Sequence, residues 1–112
     1  MSQVTSHILD TSKGRPAAGI VIILLQAQDD QWTEIANGIT NNDGRVADLL
    51  EKGDWLQHGA YKMRFETKNY FEKDHVHSFY PYIEIIFDVI TNEHYHIPLL
   101  LSPFGYSTYR GS

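Results

Sequence analysis

The residues His94–Leu101 have the pattern of a β-strand, and they read His-Tyr-His-Ile-Pro-Leu-Leu-Leu. Successive side chains of a β-strand point to opposite faces of its sheet. The alternate residues that begin with Tyr95 would form one apolar face, which can close a hydrophobic core. The other face would carry His96, Pro98 and Leu100. Because proline cannot donate a ladder hydrogen bond, Pro98 also predicts an edge strand or a bulge.

The outward face of this strand combines histidine, proline and leucine, which is typical of a surface that another chain covers. The residues that follow, 102–112, read Ser-Pro-Phe-Gly-Tyr-Ser-Thr-Tyr-Arg-Gly-Ser. Terminal segments are usually frayed, small and polar, whereas this one carries enough aromatic surface to dock on the fold. We therefore expect His96, Tyr109, Arg110 and Ser112 to be held in defined places, in a site that lies between chains.

Other segments have the same strand character, and Gly19–Gln28 is apolar enough to be buried on both faces. Thr67–Val76 is the one plausible helix, with Thr67 as its cap. Short strands at close spacing favour two packed sheets. The sequence therefore predicts an all-β, antiparallel β-sandwich of seven to eight strands with one short helix, in a single domain that spans residues 1–112. The other clear strands are Val4–Leu9, Gln31–Gly38, Ala60–Glu66 and Tyr82–Ile90.

Turn-forming residues mark three of the connections. Asp29–Asp30 predicts a tight turn, and Thr91–Glu93 predicts a hairpin turn before the strand at His94–Leu101. Asn41–Gly44 is the strongest turn signal, since Asn, Asp and Gly tolerate a left-handed backbone. Arg45 follows that turn at once, where its side chain can be presented outward.

The composition limits the possible functions. Hydrophobic residues make up 42% and charged residues 21% of the chain, as in globular proteins. The longest apolar run, Gly19–Leu25, is far shorter than the roughly 20 residues of a membrane helix. The absence of cysteine excludes disulfides and thiol chemistry. A net charge of −5 without a basic run argues against nucleic-acid binding, and with no recognisable signal peptide we expect a cytoplasmic protein.

Two histidine pairs could be metal ligands, one formed by His94 and His96 and the other by His75 and His77. A metal site needs three or four convergent ligands and residues that orient them. No carboxylate pattern accompanies the second pair or His58, so we interpret these as surface histidines and predict no metal and no cofactor.

Three segments together resemble the transthyretin-like 5-hydroxyisourate hydrolases. The first is Ser6-His7-Ile8-Leu9-Asp10, followed by Gly14-Arg15-Pro16-Ala17; the second is Asp43-Gly44-Arg45; the third is His94–Ser112, which closes with Tyr109-Arg110-Gly111-Ser112. The resemblance spans the whole chain, and Phe79-Tyr80-Pro81 also fits it. The closing tetrapeptide with His-Tyr-His upstream is the most specific part.

The resemblance implies a transthyretin-type β-sandwich that assembles as a homotetramer, with active sites in a channel between dimers. It also implies the hydrolysis of 5-hydroxyisourate, the product of urate oxidation in purine catabolism, to 2-oxo-4-hydroxy-4-carboxy-5-ureidoimidazoline. The catalytic positions of the family fall on His7, Arg45, His96 and Ser112, and substrate binding falls on His7, Arg45, Tyr109, Arg110, Gly111 and Ser112.

These residue types suit the hydrolysis of a cyclic amide. Histidine has an ordinary pKa of about 6.5 and exchanges protons near neutrality. We assign His7 as the general base on water, and His96 as the group that orients this water or donates a proton; the sequence leaves open which histidine is the base. Arg45 offers a planar fork of donors to substrate oxygens. Ser112 supplies a hydroxyl and, as the last residue, a carboxylate, while Tyr109 can close over the ligand.

A non-catalytic carrier of a small aromatic ligand is the alternative function. Transthyretin shares the fold that the resemblance implies but lacks the closing tetrapeptide. The presence of His7, Arg45 and this tetrapeptide therefore favours the hydrolase.

Overall fold

The computed structural model describes residues 2–46 and 48–111, which form nine strands and one short helix. Seven of the strands are longer than two residues, in agreement with the predicted number. The elements are β1 (Val4–Asp10), β2 (Arg15–Pro16), β3 (Val21–Gln28), β4 (Gln31–Ile39), β5 (Arg45–Val46), β6 (Gly59–Glu66), α1 (Lys68–Glu72), β7 (Ile83–Val89), β8 (Tyr95–Ser102) and β9 (Gly105–Thr108).

The strands form two sheets, which confirms the predicted sandwich. In the first sheet, β1 lies between β8 and the two short strands β2 and β5, and β9 follows β8. The second sheet has the order β4-β3-β6-β7. The strand pairs of the described residues are antiparallel except for β1 and β8, which run parallel. The N-terminal strand and the last long strand are therefore neighbours at the centre of one sheet.

The alternation in β8 builds the core as expected. Tyr95 and Leu99, on the inward face, are almost completely buried. They belong to the same hydrophobic core as Met63 and Phe65 of the second sheet, both with no exposed surface. Burying one such side chain is worth about 1.5–3 kcal/mol. This packing fixes β8 in register, so its outward residues are fixed as well.

Two local predictions about β8 were wrong. Pro98 lies in an interior strand between β1 and β9, not at an edge. The ladder between β8 and the tail has a gap there, because Leu99 pairs with Thr108 and the next bridge joins His96 to Gly111. The missing N–H of Pro98 coincides with this gap. Thr91–Glu93 does not form a hairpin, because β7 and β8 belong to different sheets. The chain crosses over instead, and the Tyr95 hydroxyl accepts hydrogen bonds from the crossing backbone.

Two further elements differ in extent from the prediction. Thr67 is the N-cap residue, as predicted, although its side chain makes no cap hydrogen bond. The helix covers Lys68–Glu72 and ends before Val76, because His75 has a φ of 57° that no α-helix can accommodate. Strand β3 is buried on alternate residues, and Val21 is 36% exposed. The apolar run of β3 predicted burial on both faces, but within one chain only one face of this strand is buried.

The predicted turn at Asn41–Gly44 seats Arg45 against β1. The Asn41 side-chain oxygen accepts hydrogen bonds from the N–H groups of Asp43 and Arg45 at 2.9 and 3.0 Å. The Ile8 N–H donates to the Gly44 carbonyl at 2.8 Å. Gly44 has a φ of 72°, and a Cβ built on it would lie 2.5 Å from the Ile8 carbonyl oxygen. Only glycine allows this close approach of turn and strand.

We expect Gly44→Ala to lower the free energy of unfolding by about 1–3 kcal/mol more than Gly14→Ala, because overpacking typically costs that much. Gly14 is the matched control, since its φ of 67° is similar but no atom lies within 4 Å of its built Cβ. Urea unfolding of both variants measures the difference. Equal losses would contradict the steric role of Gly44.

Candidate functional site

The outward face of the first sheet gathers the three central residues that the sequence singled out. His7 on β1 pairs with Arg45 on β5 along one edge and with Pro98 on β8 along the other. Thr5, two residues before His7, pairs with His96. Residues that are opposite in a ladder project to the same face, and residues two apart on a strand do so too. His7, Arg45 and His96 therefore share one face although they are far apart in sequence.

The tail docks beside His96. The Gly111 N–H donates to the His96 carbonyl at 2.8 Å, and the Thr108 hydroxyl donates to the Pro98 carbonyl at 2.7 Å. A Cβ built on Gly111 would lie 2.6 Å from Cδ2 of the His96 ring. Gly111, which the sequence assigned to substrate binding, is thus in close contact with a candidate catalytic ring.

The other tail residues divide between two environments. Tyr109 is 59% exposed. Arg110 stacks over the Tyr95 ring, with 4.4 Å between its Cζ and the ring centroid, and its guanidinium lies 4.0 Å from a carboxylate oxygen of Glu93. The Arg110 side chain therefore contacts Tyr95 and Glu93, although it lines a cavity to which His96 also contributes. Ser112, predicted to be catalytic and substrate-binding, lies outside the described residues.

A buried threonine that sequence reasoning missed links two histidines. The Thr5 hydroxyl oxygen lies 2.8 Å from Nε2 of His94 and 2.7 Å from Nδ1 of His96. The two rings are nearly parallel, with 6.2 Å between their centroids. No local pattern marks Thr5, because its contact with His96 depends on the parallel register of β1 and β8. Knowledge of that register is the signal that would have found it.

The pKa of His96 is below its ordinary value. Burial of the ring is the main cause, and the positive charges of His94, Arg45 and His7 act in the same direction. The imidazole of His96 is therefore neutral near pH 7. Because its Nδ1 faces Thr5, Nε2 is the nitrogen that remains for a ligand. Arg45 and His7 thus lie close enough for their charges to lower the pKa of His96.

Two of the cavities in the described part of the chain are candidates for a ligand site. One of about 270 Å³ is lined by His96, Tyr109 and Arg110 together with side chains of β7. A larger one of about 570 Å³ lies beside α1 and is lined by residues such as Lys68 and His77. The larger cavity has none of the predicted site residues in its lining, so its size does not make it the site.

The described residues contain no group of three or more histidine, aspartate, glutamate or cysteine side chains placed to hold a metal ion. His58 instead contacts Asn92, with 3.4 Å between Nε2 and Oδ1. Within residues 2–46 and 48–111, no helix has the length and apolar character to cross a membrane.

Fold and site together define a transthyretin-type β-sandwich that carries a histidine–arginine cluster on the outer face of one sheet. The model of the HIUase/Transthyretin family matches residues 4–111. The chain belongs to this family, which confirms the resemblance inferred from the three sequence segments.

The relatives include proteins named 5-hydroxyisourate hydrolase and a protein named transthyretin. The 5-hydroxyisourate hydrolase of Salmonella dublin is 47% identical over 108 residues, which are 95% of this chain and 78% of that protein. The crystal structure of transthyretin from Sparus aurata has a TM-score of 0.91 at 32% identity, covering 99% of this chain and 97% of that one. The Klebsiella pneumoniae 5-hydroxyisourate hydrolase has a TM-score of 0.84 at 35% identity, covering 97% and 98%. These similarities confirm the predicted fold.

We expect Gly111→Ala to displace the His96 ring, because the added methyl group would meet Cδ2 of that ring. Gly105→Ala is the matched control in the same tail, since its built Cβ has Ser102 Oγ at 3.7 Å as its nearest neighbour. Imidazole resonances in NMR spectra measure the effect. The His96 signals should move in Gly111→Ala and stay in place in Gly105→Ala; unmoved signals in both variants would contradict the close packing of the tail.

Proposed function

We propose that this chain hydrolyses 5-hydroxyisourate to 2-oxo-4-hydroxy-4-carboxy-5-ureidoimidazoline, a step in urate catabolism. The observation that carries the proposal is the placement of His7, Arg45 and His96 on one face of the first sheet, two proton-transfer groups and one fixed cation. The similarity to proteins named 5-hydroxyisourate hydrolase, at 47% identity for the Salmonella dublin protein, supports it.

In the proposed mechanism His7 is the general base. It takes a proton from a water molecule, whose oxygen attacks the carbonyl carbon of the cyclic amide. Arg45 is exposed and unable to lose its charge at neutral pH, so it can bind the substrate oxygens and stabilise the oxyanion. His96 orients the water or donates a proton from Nε2 to the leaving nitrogen, and the C–N bond breaks. A positioned acid–base group contributes about 10²–10⁴-fold in rate, and an oxyanion contact contributes about 3–4 kcal/mol.

The tail completes the proposed site. Gly111 holds the tail against His96, and in the sequence Tyr109 precedes it by two residues and Ser112 follows it. We propose that Tyr109 closes over the substrate and that Ser112 hydrogen-bonds it. Arg110 is also assigned to substrate binding by the resemblance, although its stacking on Tyr95 supports a role in holding the tail.

A non-catalytic carrier is the second candidate, because the backbone matches Sparus aurata transthyretin with a TM-score of 0.91 and the Klebsiella pneumoniae hydrolase with a TM-score of 0.84. Because one backbone can serve both functions, the side chains of the site must distinguish a hydrolase from a carrier. A carrier needs shape and apolar contacts, whereas two imidazoles beside a guanidinium are the groups that amide hydrolysis requires. The site therefore favours the hydrolase.

We further propose a homotetramer with sites between dimers. The outer face of the first sheet carries Leu9 and Leu100, both half-buried within one chain, beside the polar cluster. Strand β7 is an edge of the second sheet; Ile86 in this strand is 62% exposed, and Ile90 directly after it is 67% exposed. Exposed apolar edges of this kind are typical of surfaces that another chain covers.

The proposed chemistry uses no metal or cofactor, and a cytoplasmic location remains a prediction.

The test generates 5-hydroxyisourate from urate with urate oxidase and follows its ultraviolet absorbance. We expect the protein to accelerate the decay, and His7→Ala or His96→Ala to lower kcat by about 10²-fold, the smaller end of an acid–base contribution. His58→Ala is the matched control, because this exposed histidine lies outside the cluster; its kcat should equal that of the unmodified protein.

Decay no faster than the spontaneous rate would refute the hydrolase. Normal turnover in His7→Ala and His96→Ala, with folding verified by circular dichroism, would refute the assigned roles alone.

A further inference from the structure

The hydroxyl of Thr5 is shared by two imidazoles and therefore couples them. It lies within 2.8 Å of both His94 Nε2 and His96 Nδ1, and Thr5 is only 8% exposed. Among the described residues these are the hydrogen bonds that its side chain makes. A hydroxyl has one proton, so it can donate to one of the rings and must accept from the other.

Because the hydroxyl has a single proton, the tautomer of one ring determines the tautomer of the other. If Thr5 donates to Nδ1 of His96, then His96 carries its proton on Nε2, and Nε2 of His94 must also be protonated to donate to Thr5. If Thr5 donates to His94 instead, both rings must carry their protons on Nδ1. The Nε2–H form is the more stable tautomer of free imidazole side chains, so the first arrangement suits both rings at once.

The arrangement also solves a problem in the proposed reaction. His96 is neutral near pH 7, because burial and the charges of His94, Arg45 and His7 lower its pKa. A neutral imidazole that donated its Nε2 proton would become an imidazolate, unless Nδ1 gained a proton in the same step. Thr5 is the group that faces Nδ1.

A proton from His94 can complete that step. The Nε2 proton of protonated His94 moves to Thr5 Oγ1, the Thr5 hydroxyl proton moves to Nδ1 of His96, and the Nε2 proton of His96 moves to the leaving nitrogen. Thr5 ends as a hydroxyl and His96 as a neutral ring. His94 and His96 both end neutral with their protons on Nδ1. A proton taken up from water at Nε2 of His96 then sends the Nδ1 proton back through Thr5 to His94 and restores the starting state.

We propose that Thr5 and His94 are positioning residues that hold His96 as the Nε2–H tautomer and resupply its proton through the Thr5 hydroxyl. The catalytic part rests on the proposed hydrolase function. The tautomer does not, because it is a property of the protein without substrate.

The first experiment measures the tautomers by long-range ¹H–¹⁵N NMR of the imidazole rings, in the protein without substrate above pH 7. His94 and His96 should both be Nε2–H tautomers. Thr5→Val, which replaces the hydroxyl by a methyl group of similar shape, should leave His96 as a mixture, and Thr5→Ser should restore the single form. A His96 ring that is Nδ1–H, or a tautomer unaffected by Thr5→Val, would overturn the proposal even if the protein hydrolyses 5-hydroxyisourate.

The second experiment measures turnover. Thr5→Val and His94→Phe, which keeps a planar ring beside His96, should each lower kcat about tenfold, a part of the roughly 10²–10⁴-fold that a positioned acid contributes. KM should change little, and Thr5→Ser should retain most of kcat. Because both variants break one relay, the double variant should be no slower than the slower single one. The relay would be overturned if the loss of kcat in the double variant equalled the product of the two single losses. A normal kcat in either single variant would also overturn it.

An unmodified protein that does not accelerate the decay would refute the proposed function and the relay with it. In that case the NMR result alone decides whether Thr5 and His94 hold the His96 tautomer.

Discussion

The parallel pairing of β1 and β8 is the constraint on which the site depends. Its register runs from Val4 opposite Tyr95 to Asp10 opposite Leu101, and it brings the N-terminal signature beside the C-terminal one. A slip by one residue would turn each side chain of one strand to the other face. His96 would then point into the core, and its contact with Thr5 would be lost. The buried face of β8 prevents such a slip, so the hydrophobic core determines the geometry of the polar site.

Two glycines allow other segments of the chain to pack closely against β1 and β8 and so complete the candidate site. Gly44 lets the turn approach the Ile8 carbonyl and thereby places Arg45 opposite His7. Gly111 lets the tail approach the ring of His96. Both belong to motifs that the sequence associated with the reaction, yet their role in the structure is to leave room. The motifs therefore combine residues that can do chemistry with residues that allow the backbone to come close.

Much of the fold follows from local patterns in the sequence. Strand periodicity predicted β1, β6, β7 and β8, and turn chemistry predicted the connection at Asn41–Gly44. The parallel partner of β1 and the crossover after β7 could not be predicted, because a period of two specifies which face a residue occupies but not which strand lies beside it. The prediction from Pro98 failed for the same reason. A proline indicates a missing ladder hydrogen bond but does not indicate on which side of its strand a neighbouring strand is absent.

The site divides along the same line. His7, Arg45 and His96 were found because their residue types and motifs carry the chemistry, and the structure brings them together. Thr5 was missed because its importance arises from a contact across the parallel register. Arg110 has the right neighbours in sequence but stacks on Tyr95, since alternate residues of the tail point away from the face that holds His96. The activity depends on side-chain chemistry, because a protein named transthyretin and one named 5-hydroxyisourate hydrolase share this backbone.

The central claim is that residues from the beginning, middle and end of the chain form one electrostatic unit. The most direct test is an NMR titration of His96 in the unmodified protein, in Arg45→Gln and in Arg64→Gln. Arg64 is the control, because it lies on β6 in the other sheet and pairs with Glu66 and Glu84. Removal of the Arg45 charge should raise the pKa of His96, since that charge lowers it, and Arg64→Gln should leave it unchanged. A His96 pKa that is the same in all three proteins would contradict the account.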